Sequence, residues 1–385
     1  MYEKHGEIIS AQTFLEALQG DAGRVVLTNC IIEGVVDIFS TSLERDEHNR
    51  ILLKKSLTCT GCTFRNIVNF RAVVFQQEVD FRRTLFEGIL DLDEAVLYGP
   101  AAFREATFLR RADFHSAMFR RSASFWRARF NSVADFHGVQ FRENAVFHEA
   151  NFHSEVNFRR ALFQATLDCT GTLFPEITTF NNATFLGRAN FTGAQFMSVA
   201  SFRDVQYIPD TLLQAVKAKL SRELHHPTEF YLDSQQIDEA ANPFFKRYVA
   251  DQQFIRAVNQ GNPVLAHLWR WSSDYGRSLG LWALWSFFLA VLFALAYMPF
   301  PEWLPAWIQS WAPRFHQTTG FYSGRNLTFS DCFYFSVVTF TTLGFGDVVA
   351  DNAPARFLVA LEVIFGYVML GGLISIFSNK LASRS

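Results

Sequence analysis

Residues 112–141 read ADFHSAMFRRSASFWRARFNSVADFHGVQF. Phenylalanine stands at 114, 119, 125, 130, 136 and 141, so the steps alternate five and six and the true period is eleven. An amphipathic helix needs apolar residues at a mean spacing of about 3.6 and a strand needs about 2, whereas this spacing averages roughly 5.5. A coil that turns a corner every five or six residues fits. One large residue per side points inward, and a small residue two positions earlier packs beside it, as at Ala112, Ala117, Ala123, Ala128 and Ala134.

Outward from this stretch the register holds back through Phe103, Leu97, Leu92, Phe86, Phe81 and Phe64 to Cys59. It continues through Phe147, Phe158, Cys169 and Phe180 to Phe202. The chain spends 43 of its 385 residues on Phe, and an irregular core mixing Leu, Ile, Val and Phe would not need that. Ala112-Asp113-Phe114, Ala134-Asp135-Phe136 and Ala189-Asn190-Phe191 share one unit and resemble the pentapeptide-repeat family. The resemblance implies an all-β, right-handed, quadrilateral solenoid over residues 51–206, with residues 1–50 as its N-terminal cap. The extra residue in every second unit departs from a strict five-residue frame and leaves the shape of two of the four faces open. Cys59 to Phe202 would make about six or seven coils, a rod roughly 30 Å long at one strand spacing per coil.

Several features of this region have plain readings. Cys59 and Cys62 form a C-x-x-C, but both occupy inward positions and read as core thiols rather than zinc ligands. His115, His137 and His148 follow central phenylalanines and should face outward as a stacked column. Residues 59–202 carry 15 arginines against 14 Asp and Glu, which argues against an acidic surface imitating DNA, and no nucleic-acid partner is expected. The five cysteines, Cys30 and Cys332 among them, are odd in number and read as free thiols in a reducing compartment.

Leu279 to Met298 runs 20 residues without a charge, and Phe357 to Phe377 runs 21 with only Glu362. Each can cross a bilayer. Seven of the eight tryptophans fall between Trp269 and Trp311, as an interfacial aromatic belt requires. Met1 to Glu7 is polar, so no cleaved signal peptide is expected. Residues 207–277 read as a helical connector. Asp210 and Thr211 open one helix through Leu224, Asn242-Pro243 a second through Val258, and Asn262-Pro263 a third into Trp269 and Trp271, at the inner membrane surface.

Between the two spans, within a pore domain at 278–385, stands Thr341-Thr342-Leu343-Gly344-Phe345-Gly346-Asp347. An ion filter must aim successive carbonyls at one axis, which needs backbone conformations that glycine accepts and Cβ-bearing residues resist. Ser330 reads as the cap of a short helix, about Asp331 to Thr341, whose C-terminal dipole would face a cation. Asp351-Asn352 and Pro354 start the second span. Over roughly 275–380 the pattern resembles two-transmembrane, single-pore-loop potassium channels, whose filter is four Thr-Val-Gly-Tyr-Gly loops. That resemblance implies a homotetramer in the lipid bilayer, with K+ at Thr342, Leu343, Gly344 and Phe345 and no cofactor beyond the permeant ion. Leu343 and Phe345 replace the commoner Val and Tyr, and Val338 stands where some bacterial members carry a carboxylate.

The family places a hinge glycine about twenty residues past the second filter glycine, where Gly366 stands. Gly371 and Gly372 compete for the role or serve close packing. Glu362, the one ionisable residue within a span, reads as a support for the pore helix or filter backbone. Arg270, Arg277, Lys380 and Arg384 flank the spans on one side, Arg314, Arg325 and Arg356 on the other. The family's outward-opening filter puts both termini in the cytoplasm of a multi-pass inner (plasma) membrane protein. The solenoid would then regulate the pore or dock an unknown cytoplasmic partner. A nonselective cation channel of the same fold, or an anchored scaffold with a vestigial pore, remains the alternative. No hydrolase triad or phosphate-binding glycine loop is present, so no enzyme is expected.

Overall fold

Phe136 is fully buried, its ring lying parallel to those of Phe114 and Phe158 at centroid distances of 4.7 and 4.9 Å. Across the corners it meets Phe125 and Phe147 edge-on at 5.6 and 5.3 Å. Both geometries are favourable, each pair contributing about 0.5–1.5 kcal/mol beyond the burial of area. The same two contacts repeat along the rod because Phe114, Phe136 and Phe158 are 22 residues apart, one full coil. Small residues make this possible: Ala112 pairs in register with Ala134, and both are fully buried.

A computed structural model describes residues 1–198, 200–208, 229–232, 235, 237, 243–276, 278–300, 303, 305–317 and 327–382. It divides the chain into two units, Met1–Arg256 and Ala257–Ser385. In the first unit the strands stack into four parallel sheets of ten, nine, eight and seven strands, a four-sided β-solenoid of about nine turns. Successive coils are joined by backbone bonds such as Phe114 N to Asp135 O at 2.7 Å and Phe136 N to Asn157 O at 2.8 Å.

The corners explain the alternation of five and six. After Phe114 the chain turns through His115 and Ser116, and Ala117 N donates to Phe114 O at 3.0 Å. Ser116 there has φ 53°, and every eleventh residue repeats it, including Glu105, Arg127, Gly138, Glu149 and Arg160. A left-handed residue with a Cβ costs about 1–2 kcal/mol, so this tight corner depends on its hydrogen bond and on the packed coil. The corner after Phe119 passes through Arg120, Arg121 and Ser122 and takes the extra residue. All four faces therefore carry a regular sheet, including the two whose shape the sequence leaves open.

Residues 1–50 already contribute strands Tyr2–His5, Ile8–Ser10, Arg24–Thr28, Ile31–Glu33 and Val36–Asp37 to three of these sheets. Here one coil is longer: Tyr2 pairs with Val25, 23 positions on, and Val25 with Leu57, 32 positions on, whereas Leu57 pairs with Val79, 22 positions on. Helix α1 (Ala11–Gln19), capped by Ser10, buries Phe14, Leu15 and Leu18, with Phe14 edge-on to Phe64. At the other end Phe230–Tyr231 pairs with Ala189–Asn190. Helix α2 (Pro243–Gly261) then lays Phe245 against Phe202 and Phe230, with centroids 5.5 and 5.0 Å apart. Gln252 accepts from Phe230 N at 2.7 Å and Arg256 donates to Phe230 O at 2.8 Å. Two side chains one helical turn apart thus occupy backbone groups that an additional coil would use, which closes an exposed edge.

Cys30, Cys59, Cys62, Cys169 and Cys332 are buried free thiols, and burial pushes the Cys59 and Cys169 thiols well above the ordinary cysteine range. His115 and His137 lie beside each other with ring centroids 5.0 Å apart and planes tilted by 42°, and His115 Nδ1 meets the Asp93 carboxylate at 2.8 Å. His148 belongs to the opposite sheet, because eleven residues is half a coil, so the column holds two histidines and not three. The helix expected at Asp210 to Leu224 lies outside the described residues, as do Asn242, Arg277, Arg325 and Arg384.

In the second unit α3 (Pro263–Ser273) is capped by Asn262, whose Oδ1 accepts from Leu265 N at 3.1 Å. Val264, Leu265, Leu268 and Trp271 remain exposed on it, an apolar stripe of the kind that lies in a membrane interface. Asp274, Tyr275 and Gly276 are all left-handed and turn the chain into α4 (Leu279–Tyr297). After a short helix α5 (Ala306–Gln309), α6 spans Phe329–Phe340 and α7 spans Ala353–Ala382. Helix α4 and the Ala353–Ser378 part of α7 have mean hydropathy 2.2 each. At about 1.5 Å per residue α4 alone covers roughly 28 Å, close to the hydrocarbon thickness.

One helix start differs from the sequence expectation. Helix α6 is capped by Thr328, not Ser330: Asp331 N donates to Thr328 Oγ1 at 3.4 Å and Thr328 N donates back to the Asp331 carboxylate at 2.9 Å. The reciprocal pair satisfies two backbone donors at once, which Ser330 cannot do with Phe333 three residues on. Helix α7 starts at the expected Asp351-Asn352 and Pro354 segment, with Asn352 Oδ1 accepting from Ala355 N at 3.1 Å.

Candidate functional site

The last turn of α6 delivers the chain into Thr341–Asp347. Thr342 N donates to Thr339 O and Leu343 N to Val338 O, both at 2.9 Å. Thr341 Oγ1 donates to Val337 O at 2.7 Å. These bonds hold the loop's first residues to the helix that precedes it. Along the loop φ is +59° at Thr342, +53° at Gly344 and +74° at Gly346, while Leu343 and Phe345 between them are not in the left-handed region. Every second residue is therefore left-handed. The loop thus departs from a strand, in which every residue is extended and successive groups point to opposite sides.

The C-terminal end of the loop is tied down. Val348–Ala350 pairs antiparallel with Phe315–Gln317, and His316 Nδ1 meets the Asp351 carboxylate. Asn352, besides capping α7, accepts from Arg314 N at 3.1 Å and donates to Ala312 O at 2.7 Å. Beside the loop lies an open groove of about 400 Å³, lined by Phe335, Thr339, Thr342, Phe345, Val359 and Tyr367. Among the described residues no group of three His, Cys, Asp or Glu side chains could hold a metal ion. The donors suited to a cation here are backbone oxygens.

Glu362 is fully buried between three helices. One of its oxygens meets the Tyr297 hydroxyl of α4 and the other meets Ser336 Oγ of α6. It touches α6, and not the loop backbone or the groove. Gly366 lies one turn further along α7, where an added Cβ would stand 2.3 Å from the carbonyl oxygen of Phe340. A Cβ at Gly372 would stand 2.3 Å from the Trp282 ring, whose Nε1 donates to Met369 O at 2.7 Å. Gly371 has open space around it within the chain. Gly366 and Gly372 are thus close-packing positions. Sequence reasoning missed Tyr297, Ser336 and Trp282, although Ser336 is a small hydroxyl residue midway along a largely apolar helix.

Residues 314–383 match the family model described as "Ion channel", and residues 60–96 and 92–140 match that described as "Pentapeptide repeats (9 copies)". Neither a curated protein nor a solved structure matches the chain.

Proposed function

We propose that this chain, an ion-channel subunit with a pentapeptide-repeat solenoid ahead of its membrane helices, conducts potassium selectively as a homotetramer. The observation that carries this reading is the alternating handedness of Thr342, Gly344 and Gly346. Four such loops facing one axis would present the rings of carbonyls that replace a potassium ion's hydration shell. Each chain supplies one loop, so four chains complete the ring, with K+ held by the oxygens of Thr342, Leu343, Gly344 and Phe345. The C-terminal dipole of α6 aims partial negative charge at an ion below the loop.

Apolar side chains such as Leu284, Phe287, Phe288 and Ile374 are exposed in the single chain and suit lipid or neighbouring subunits. Both termini would lie in the cytoplasm of the inner membrane, with the solenoid as a regulatory or docking domain there.

Gly344→Ala and Gly346→Ala test the assignment. A Cβ in the left-handed region costs about 1–2 kcal/mol per residue, a cost incurred four times in a tetramer. Potassium flux into proteoliposomes should fall to background in both variants, while the thermal unfolding of the solenoid stays unchanged. Wild-type flux in both would overturn the filter assignment.

A further inference from the structure

We infer that Tyr297, Ser336 and Glu362 form an electrically neutral brace that positions α6, with Glu362 carrying a proton. The inference rests on the filter reading above and names the residues that hold the filter's supporting helix in place.

Counting hydrogens carries it. Ser336 Oγ lies 2.8 Å from the backbone oxygen of Ala290 and also meets Glu362 Oε1. Tyr297 OH meets Glu362 Oε2. These are three oxygen–oxygen contacts, and each needs one hydrogen. The two hydroxyls supply two. The Ala290 carbonyl can only accept, so the Ser336 hydrogen is directed to it, and the contact between Ser336 and Glu362 needs a hydrogen from the carboxyl. With Glu362 ionised, one of the two contacts of Ser336 would set lone pair against lone pair in a fully buried site. An ionised carboxylate would also be isolated there, because both its oxygens face hydroxyls and not a cation. Burying an unpaired charge is far costlier than burying a hydrogen-bonded neutral group.

The geometry also explains what the brace does. Glu362 and Gly366 are one turn apart on α7, and the residues they touch, Ser336 and Phe340, are one turn apart on α6. Ala290 and Tyr297 hold the same group from α4. Helix α6 is thereby fixed along its last turns, immediately before Thr341. These are positioning residues, since none of them reaches the loop carbonyls.

Glu362→Gln, Glu362→Ala and Ser336→Ala in the full-length protein test the inference. The glutamine amide nitrogen can donate to Ser336 while its oxygen accepts from Tyr297, so Glu362→Gln should sustain current as long as wild type. Glu362→Ala and Ser336→Ala should shorten sustained current roughly tenfold, the loss expected for an unsatisfied buried polar group, with an unchanged reversal potential. A glutamine variant as impaired as the alanine variant would overturn the neutral brace. The second measurement is an infrared difference spectrum, wild type minus Glu362→Gln, at neutral pH in lipid. Loss of a protonated-carboxyl C=O band is expected, and loss of carboxylate bands would overturn the proposal whatever the currents show. A channel that proves nonselective leaves both arms intact, so failure of the potassium reading is distinguishable from failure of the brace.

Discussion

Gly366→Ala is expected to abolish current, a larger effect than the shift in gating that a hinge glycine would give. The added Cβ would stand 2.3 Å from Phe340 O, 3.1 Å from its carbonyl carbon and 3.2 Å from its Cα. All three are backbone atoms, so no side-chain rotation relieves the clash. Either α7 or the last turn of α6 must move, and forced overpacking typically costs about 1–3 kcal/mol per site. Phe340 directly precedes Thr341, so the displacement enters the loop where its carbonyls must stay aligned. Gly371→Ala is the control. It meets nothing within 4 Å in the chain and changes only helix flexibility, so a lower open probability with unchanged unitary current is expected there. Single-channel recording separates the cases. If Gly366→Ala kept wild-type unitary current and only opened less often, Gly366 would act as the hinge and not through its packing.

Phe136→Asp is expected to unfold the middle coils of the solenoid. Deleting a buried phenylalanine side chain costs about 3–5 kcal/mol, and a carboxylate placed between the rings of Phe114 and Phe158 adds an unpaired buried charge. Because each coil contacts only its neighbours, stability is roughly a sum over adjacent interfaces, and a defect in the middle removes two of them. Hydrogen exchange on the full-length protein should show lost protection across Phe114 to Phe158, with residues 279–297 and 353–378 unaffected. Native protection through those coils would contradict the inward register.

The rod was legible from residues 59 to 202 because each coil there contributes the same ring at the same depth, so packing is written as a period. The coils before Ile51 were not legible. They use Val25, Leu27, Ile32 and Val36 with an inserted helix, and a 32-residue coil leaves no repeat to detect. The closing contacts of Gln252 and Arg256 were hidden for another reason, since polar residues one turn apart on a helix usually mark a solvated face. Thr328 and Ser330 are both capping residues, and the choice between them lay in Asp331, three residues beyond Thr328.

In the candidate site the motif Thr341–Asp347 and the singular position of Glu362 could be read directly. The partners of Glu362 could not, because Tyr297 is 65 residues away in sequence and only helix packing brings it near. Gly366 shows the same limit. Its spacing from the loop suggested a hinge, whereas its close approach to the Phe340 carbonyl left no mark in the sequence.

The most direct test of potassium-selective conduction is the reversal potential of purified protein in planar bilayers, with potassium on one side and sodium on the other. Reversal near the potassium equilibrium potential is the expected result, because the loop carbonyls replace the hydration shell of that ion. Reversal near zero would contradict selectivity and leave a nonselective cation channel of the same fold.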